Sequence, residues 1–183
     1  MREALYAAAI DLFRVHGYDA VSVTAVCERA GVAKGTFFNH FPTKDHLLLE
    51  WYARLNTAGA VIPPPGPLAE RLSAFAMGFL DPILADPALW LEKHRRAGLE
   101  PAFRTHEAES DAEVRSQVAS LIEEARKDGE IGAALDPERL AGLFVAMLTG
   151  TMQEHAMTED VEGLAPTLRA RIETFAELLA KPR

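Results

Sequence analysis

Residues 22–41 read SVTAVCERAGVAKGTFFNHF. The run holds two short helical patterns joined by the turn Ala30-Gly31-Val32. Ser22 is placed to cap the first helix by accepting an orphan N–H. Val23, Val26, Cys27 and Ala30 recur at i, i+3, i+4 and i+7, which makes one apolar helical face. Gly31 suits a turn that needs a positive φ. The second helix carries Lys34, Thr36, Asn39 and His40 as its polar set, while Phe37 and Phe41, four apart, can anchor it to a core. A short helix, a glycine turn and a second helix with a polar outer face form a helix-turn-helix. The expectation is a chain that reads DNA.

On the N-terminal side, Leu5, Ala8, Ala9, Leu12 and Phe13 make a helical stripe over residues 3–15, which Gly17 ends. On the C-terminal side, Pro42 stops the second helix. Thr43 is expected to cap a long amphipathic helix over 43–59 that carries Leu47, Leu48, Trp51, Tyr52 and Leu55. Pro63-Pro64-Pro65-Gly66-Pro67 cannot be helical and is the sharpest break in the chain. Beyond it, Leu68 to Leu80 reads as helix, with Asp81-Pro82 as a kink or an end. Asp86-Pro87 and Asp136-Pro137 both read as an N-cap followed by proline in the first turn. Residues 111–127 have helical spacing, and Pro101 to Ser110 show no clear pattern. Leu164, Leu168, Ile172, Phe175 and Leu179 form the last stripe. No strand alternation appears, so the fold class is all-α. The division is a helix-turn-helix domain over 1–45 and a helical effector-binding and dimerisation domain over 46–183, with helix 43–59 linking the two and serving as the natural lever between them.

The 183 residues are 49% hydrophobic and 25% charged, which is enough to bury a real core in an ordinary globular chain. No apolar stretch is long enough to span a bilayer. The start reads as periodic helix, so no signal peptide is expected. The lone Cys27 excludes an internal disulfide and fits a reducing compartment. A cytoplasmic location follows as an expectation. Cys27 lies on the apolar face with no partner cysteine, so it reads as a small buried hydrophobe rather than a redox switch. The net charge of -8 is unevenly spread. Residues 1–55 carry six basic and six acidic side chains, and the remainder carries 13 and 21. A neutral head on an acidic body fits a protein that presents one end to DNA, and it predicts weak non-specific binding.

The stretches AAIDLFRVHGYDAVSV, AGVAKGTFFNHF and PTKDHLL, within residues 3–52, resemble the TetR family of transcriptional regulators. The resemblance implies an all-α homodimer. Three N-terminal helices bind DNA, a fourth links them to a ligand domain, and ligand binding releases DNA. Carried over by position, Lys34 would meet a phosphate or a guanine edge. Gly35 and Thr36 would approach the backbone. Asn39 would reach a base, an amide being able to pair with adenine. Lys44 and the amides beside it would hold another phosphate, and Thr24 would touch the backbone. Two readings of His40 stand, a DNA contact or a partly buried ring. Phe38 replaces the family's usual tyrosine and loses a phosphate-bonding hydroxyl, leaving contact with a thymine methyl. Val21 and Cys27 replace the usual threonine and alanine. The chain begins nearly inside its first helix, so no basic N-terminal arm is expected.

For the body, Phe75, Phe79, Trp90, Phe103, Met147 and Met152 are the candidate lining of an apolar effector cavity, with core packing as the plain alternative for each. His94, His106 and His155 could add polar contacts. No metal-ligand spacing, Walker, dinucleotide, nucleophile or paired-carboxylate motif occurs, so no metal, cofactor or enzymatic activity is expected. Leu140, Leu143, Phe144, Met147, Leu148 and Thr151, with small residues Gly142, Ala146 and Gly150, predict a homodimer through helices at about 136–156 and 161–181. The partners expected are a palindromic double-stranded DNA operator and a small, mostly apolar effector, with no membrane, in a regulator of the repressor type. The alternative function is a helical small-molecule carrier or sensor that has lost DNA binding.

Overall fold

The computed structural model describes residues 1–59, 61–99 and 101–180. Among them lie nine helices and no strand beyond an isolated bridge between Ile131 and Ala180. In chain order they are α1 (Arg2–His16), α2 (Val23–Ala30), α3 (Lys34–His40), α4 (Asp45–Gly59), α5 (Leu68–Ala85), α6 (Pro87–Ala97), α7 (Pro101–Lys127), α8 (Pro137–Thr158) and α9 (Leu164–Leu179). The all-α architecture is that expected from the pattern.

The head is α1 to α3. Ser22 Oγ accepts the Ala25 N–H at 3.1 Å and so starts α2. Gly31 sits at φ 68°, ψ 35°, and the Gly31 and Val32 amides return to Glu28 and Cys27. That is a Schellman end, and a side chain there would strain the turn. It aims α3 away from α2 while Phe37 and Phe41 enter a core with Leu5, Ala9, Phe13, Val26 and Leu47. Cys27 is buried, and burial raises its thiol pKa, as a small core hydrophobe requires.

In the body, α5 packs on α4, α6, α7 and α9. It is apolar nearly all round, burying Leu68, Leu72, Phe75, Ala76, Phe79, Leu80 and Ile83, as a central helix must. Its first turn has no local cap. Glu130 accepts the Leu68 N–H at 2.7 Å and also takes the buried Arg71.

Several element boundaries differ from the sequence pattern or complete it. The linking helix starts at Asp45, not Thr43, because the Thr43 hydroxyl meets the His46 ring at 3.0 Å instead of a backbone amide. Pro82 neither ends nor delimits α5, which runs on to Ala85 and buries Ile83; proline removes one N–H, and the packing of the last turn holds the rest. Asp86 stands at the N-cap of α6, yet its carboxylate is taken by Arg14 rather than by the helix amides. Pro101 to Ser110 are the start of one 27-residue helix. Asp136 does cap α8, accepting from Glu138 and Arg139. The expected 161–181 helix ends at Leu179, and Lys181 lies outside the described residues.

Candidate nucleic-acid interface and effector cavity

α3 has seven residues, about two turns and roughly 10 Å at 1.5 Å per residue. Lys34, Gly35, Phe38 and Asn39 are exposed, and Phe38 shows 49% of its surface. Lys34 with Phe38, and Gly35 with Asn39, are i, i+4 pairs in adjacent columns of one face. Nothing approaches within 4 Å of a Cβ built on Gly35, so the face is open. Thr36 and His40 are half-buried at its flanks, and Thr24 is exposed on α2. The helix is short enough for its outward side chains to enter a major groove about 12 Å wide.

Lys44 is placed differently from the expectation. Its ammonium donates to the Tyr18 and Val21 carbonyls at 2.8 and 2.9 Å and lies 4.0 Å from the Tyr18 ring. Burial first, then Arg96, lowers its pKa. The amine closes the turn between α1 and α2, which leaves less of it for phosphate.

Tyr18 is the hub beneath the head. Its hydroxyl donates to Asp45 at 2.7 Å, and burial, ahead of that bond, raises its pKa. From α6, Arg96 donates to Asp19 (2.7 Å), Asp45 (3.2 Å) and Glu92 (2.7 Å), and its guanidinium lies 4.2 Å from the Tyr18 ring. Arg14 of α1 takes both oxygens of Asp86 at the other end of α6. One helix of the body is thus fastened to the head at both ends.

The same helix forms a wall of a cavity of about 660 Å³ bordered by α4 to α8 and open at its rim. Of the expected lining, Phe79, Trp90 and Met152 lie on it. Phe75 and Phe103 do not; both are about 1% exposed and belong to the closed core. Met147 packs half-buried against that core, away from the cavity. His94 lines the cavity. His106 lines a smaller adjoining cavity of about 300 Å³ and meets the Tyr52 ring edge-on, while His155 bonds the Asp160 carbonyl.

Apart from His94, sequence reasoning passed over the polar wall. Lys93, 2% exposed, pairs with Glu107 and lies 4.0 Å from the Tyr52 ring. Asp111, one turn beyond Glu107, has its pKa raised by burial and then by Glu107. His94 is pushed down to about 4, chiefly by burial, so it is neutral near pH 7. Asn56 donates to Ser110 at 3.0 Å across α4 and α7. Lys93 and Glu107 are fourteen positions apart on different helices, and no local spacing announces them.

Beyond the cavity, α8 buries Leu140, Phe144, Leu148 and Thr151 within the chain itself. The stripe read as a dimer seam is therefore half core. The outward face of α8 holds Leu143 (63% exposed), Ala146 and Gly150, and Leu178 is exposed on α9.

Two family models match. Residues 5–51 match "Bacterial regulatory proteins, tetR family", and residues 67–180 match "BetI-type transcriptional repressor, C-terminal". The chain is 34% identical over 126 residues to the HTH-type transcriptional repressor KstR of Rhodococcus jostii, covering 67% of this chain and 56% of that protein. It is 24% identical to the repressor AcnR of Corynebacterium jeikeium over 85% of this chain and 82% of that one. A TetR regulator from Haloarcula marismortui superposes with TM-score 0.78 at 20% identity over 98% of each chain. The Thermus thermophilus repressor FadR, crystallised with lauroyl-CoA, superposes with TM-score 0.74 at 21% identity, covering 100% of this chain and 97% of that one. These two show the fold.

Proposed function

The chain belongs to the TetR family of bacterial regulatory proteins, and on that premise we propose that it is a ligand-responsive repressor acting as a homodimer. The division falls near residue 45, in keeping with family matches at 5–51 and 67–180. Lys34, Gly35, Thr36, Phe38, Asn39 and His40 meet the operator, with Thr24 at the backbone and Lys44 in a supporting place. The outward apolar face of α8 and α9 supports pairing with a second copy. Two heads related by a twofold read half-sites roughly 34–36 Å, or a multiple, apart, so the operator is palindromic.

The observation that carries this reading is α6. Trp90, Lys93 and His94 on it face the cavity, while Asp86 and Arg96 on it hold the head. An effector that fits the cavity best at one setting of α6 favours one placement of the reading helices. Without that difference in affinity no equilibrium shifts. The sequence pattern points to the linking helix alone as the lever; α6 shares that part. On this reading the chain turns over no bound ligand, and detected turnover would overturn it.

The test is binding to a labelled duplex of the gene's own upstream region, with a scrambled duplex alongside and salt varied. Sequence-selective binding is expected. Lys34→Ala or Asn39→Ala should weaken it by about 1–3 kcal/mol, with no shift in melting beyond about 0.5 kcal/mol, because both side chains are exposed. Equal binding by wild type and both variants, on duplexes selected from random DNA, would overturn the assignment.

A further inference from the structure

The cavity wall is sorted by charge in a way that speaks to the ligand's polar end. Of its three cations, two are already engaged. Lys93 is bound to Glu107, and Arg95 donates to Glu92 and Glu159. Arg104 is exposed at the rim, with only a long contact to the Gly98 carbonyl. Asp111 has no ion-pair or hydrogen-bond partner among the described residues, though it lines the cavity and is partly buried. His94 adds an acceptor. Its Nδ1 lies 3.0 Å from the Trp90 carbonyl, and a carbonyl only accepts, so Nδ1 carries the proton and Nε2 offers a lone pair. One ammonium thus faces two carboxylates a helical turn apart, with aromatic rings beside them.

An anion at the Lys93 end of this site would have to displace Glu107 and would then sit against two carboxylates, Arg104 standing apart at the exposed rim. An entirely apolar molecule would leave Asp111 desolvated and unpaired, which is costly. We propose that the cavity takes an apolar molecule ending in a protonated amine, with Asp111 as its counter-ion and the Tyr52 and Trp90 rings against its flank. The amine supplies the partner that Asp111 lacks, and aromatic faces attract a cation. This rests on the reading of the cavity as the effector site.

Calorimetric titration of the full chain with octylamine, octanol and octanoate tests both readings, since the three differ only in the head group. Octylamine should bind about tenfold more tightly than octanol, and octanoate more weakly than either. Asp111→Asn should cost octylamine about tenfold and leave octanol unchanged, with a melting midpoint no lower than that of wild type as the check on folding. General attraction of a cation to an acidic protein would survive that substitution, so it cannot imitate the result. Octanol or octanoate binding as tightly as octylamine would overturn the amine assignment while keeping the cavity. An amine preference left intact by Asp111→Asn would overturn it in the same way. No binding by any of the three would overturn the effector site and the amine with it.

Discussion

The head and the body solve the same packing problem in opposite ways. In residues 1–45 the buried set is apolar, from Leu5 through Phe41, and the polar groups of α3 point outward. In the body, Arg71, Glu92, Lys93, Thr151 and His155 are buried, and Lys93 lines a cavity. A surface that meets DNA can be mounted on a closed apolar core, because its chemistry lies outside the fold. A site that encloses a small molecule must bring polar groups inside, and each then needs a partner. Core and outward polar residues are therefore different residues in the head, whereas in the body Lys93 belongs both to the buried interior and to the cavity wall.

The strongest way to break that contrast is at Phe37. It is fully buried and packs against Phe41 and Phe38 at 5.9 and 5.2 Å between ring centres. Phe37→Ala should cost about 3–5 kcal/mol by denaturant unfolding and abolish operator binding, while octanol binding in the body persists. Loss of both together would show that the two regions fold as one unit. Next in size is Lys93→Met, which leaves Glu107 beside Asp111 with no cation. A fully buried pair broken on one side costs about 3–5 kcal/mol; Glu107 keeps 33% exposure, so about 2 kcal/mol is expected. Adding Glu107→Gln should recover most of that, and a double-mutant cycle measures it. A single variant as stable as wild type would show that the interior pair contributes nothing.

The same contrast decides what could be read without coordinates. The head was legible because its signals are local. A cap, an αL glycine and two phenylalanines four apart all lie within twenty residues, and local geometry turns each into structure. The outward apolar face of α8 was half legible. Leu143 belongs to it, whereas Leu140, Phe144 and Leu148 on the same stripe are core, and periodicity alone cannot tell an apolar face turned inward from one turned out. The start of α7 was not legible, because its cavity-facing positions are Glu107, Ser110 and Asp111 rather than leucines. A helix that lines a polar wall lacks the apolar period by which helices are recognised. Arg96 was equally silent. Its partners Asp19 and Asp45 lie 77 and 51 positions away, so only the fold brings them together.

Arg96 is where the two regions meet, and removing it should sharpen the boundary between them. It is about a quarter exposed, with three carboxylate partners and the Tyr18 ring. Arg96→Ala should cost about 1–2 kcal/mol, the range for a partly exposed charged hydrogen-bonding group. The informative measurement is amide exchange. Protection should fall both around Asp19 and in α6, and hold in α8 and α9. A loss confined to α6 would mean that the contact decorates the body without restraining the head.

The smallest effect expected is with acid, and it should have opposite signs in the two regions. Glu50 of α4 is held below the ordinary carboxylate range by Arg2 and then Arg54, against the opposing effect of burial. A lowered folded pKa gives stability that is present above the unfolded value and lost as pH falls through the folded one. The tie between α1 and α4 should therefore hold until pH drops below about 4.5, the ordinary value for that group. Asp111 is shifted the other way, upward from 3.8 by burial and Glu107. Its ionised form is penalised in the folded state, so the penalty is fully present above the folded pKa and is relieved as pH falls towards the unfolded value. As pH falls from neutrality towards the ordinary carboxylate range, exchange-derived stability should thus rise slightly in α7 and stay level in α1 and α4. Asp111→Asn should flatten the rise in α7 and leave the rest alone. A rise of the same size in the variant would place the titrating group elsewhere and remove Asp111 as the unpaired charge of the wall.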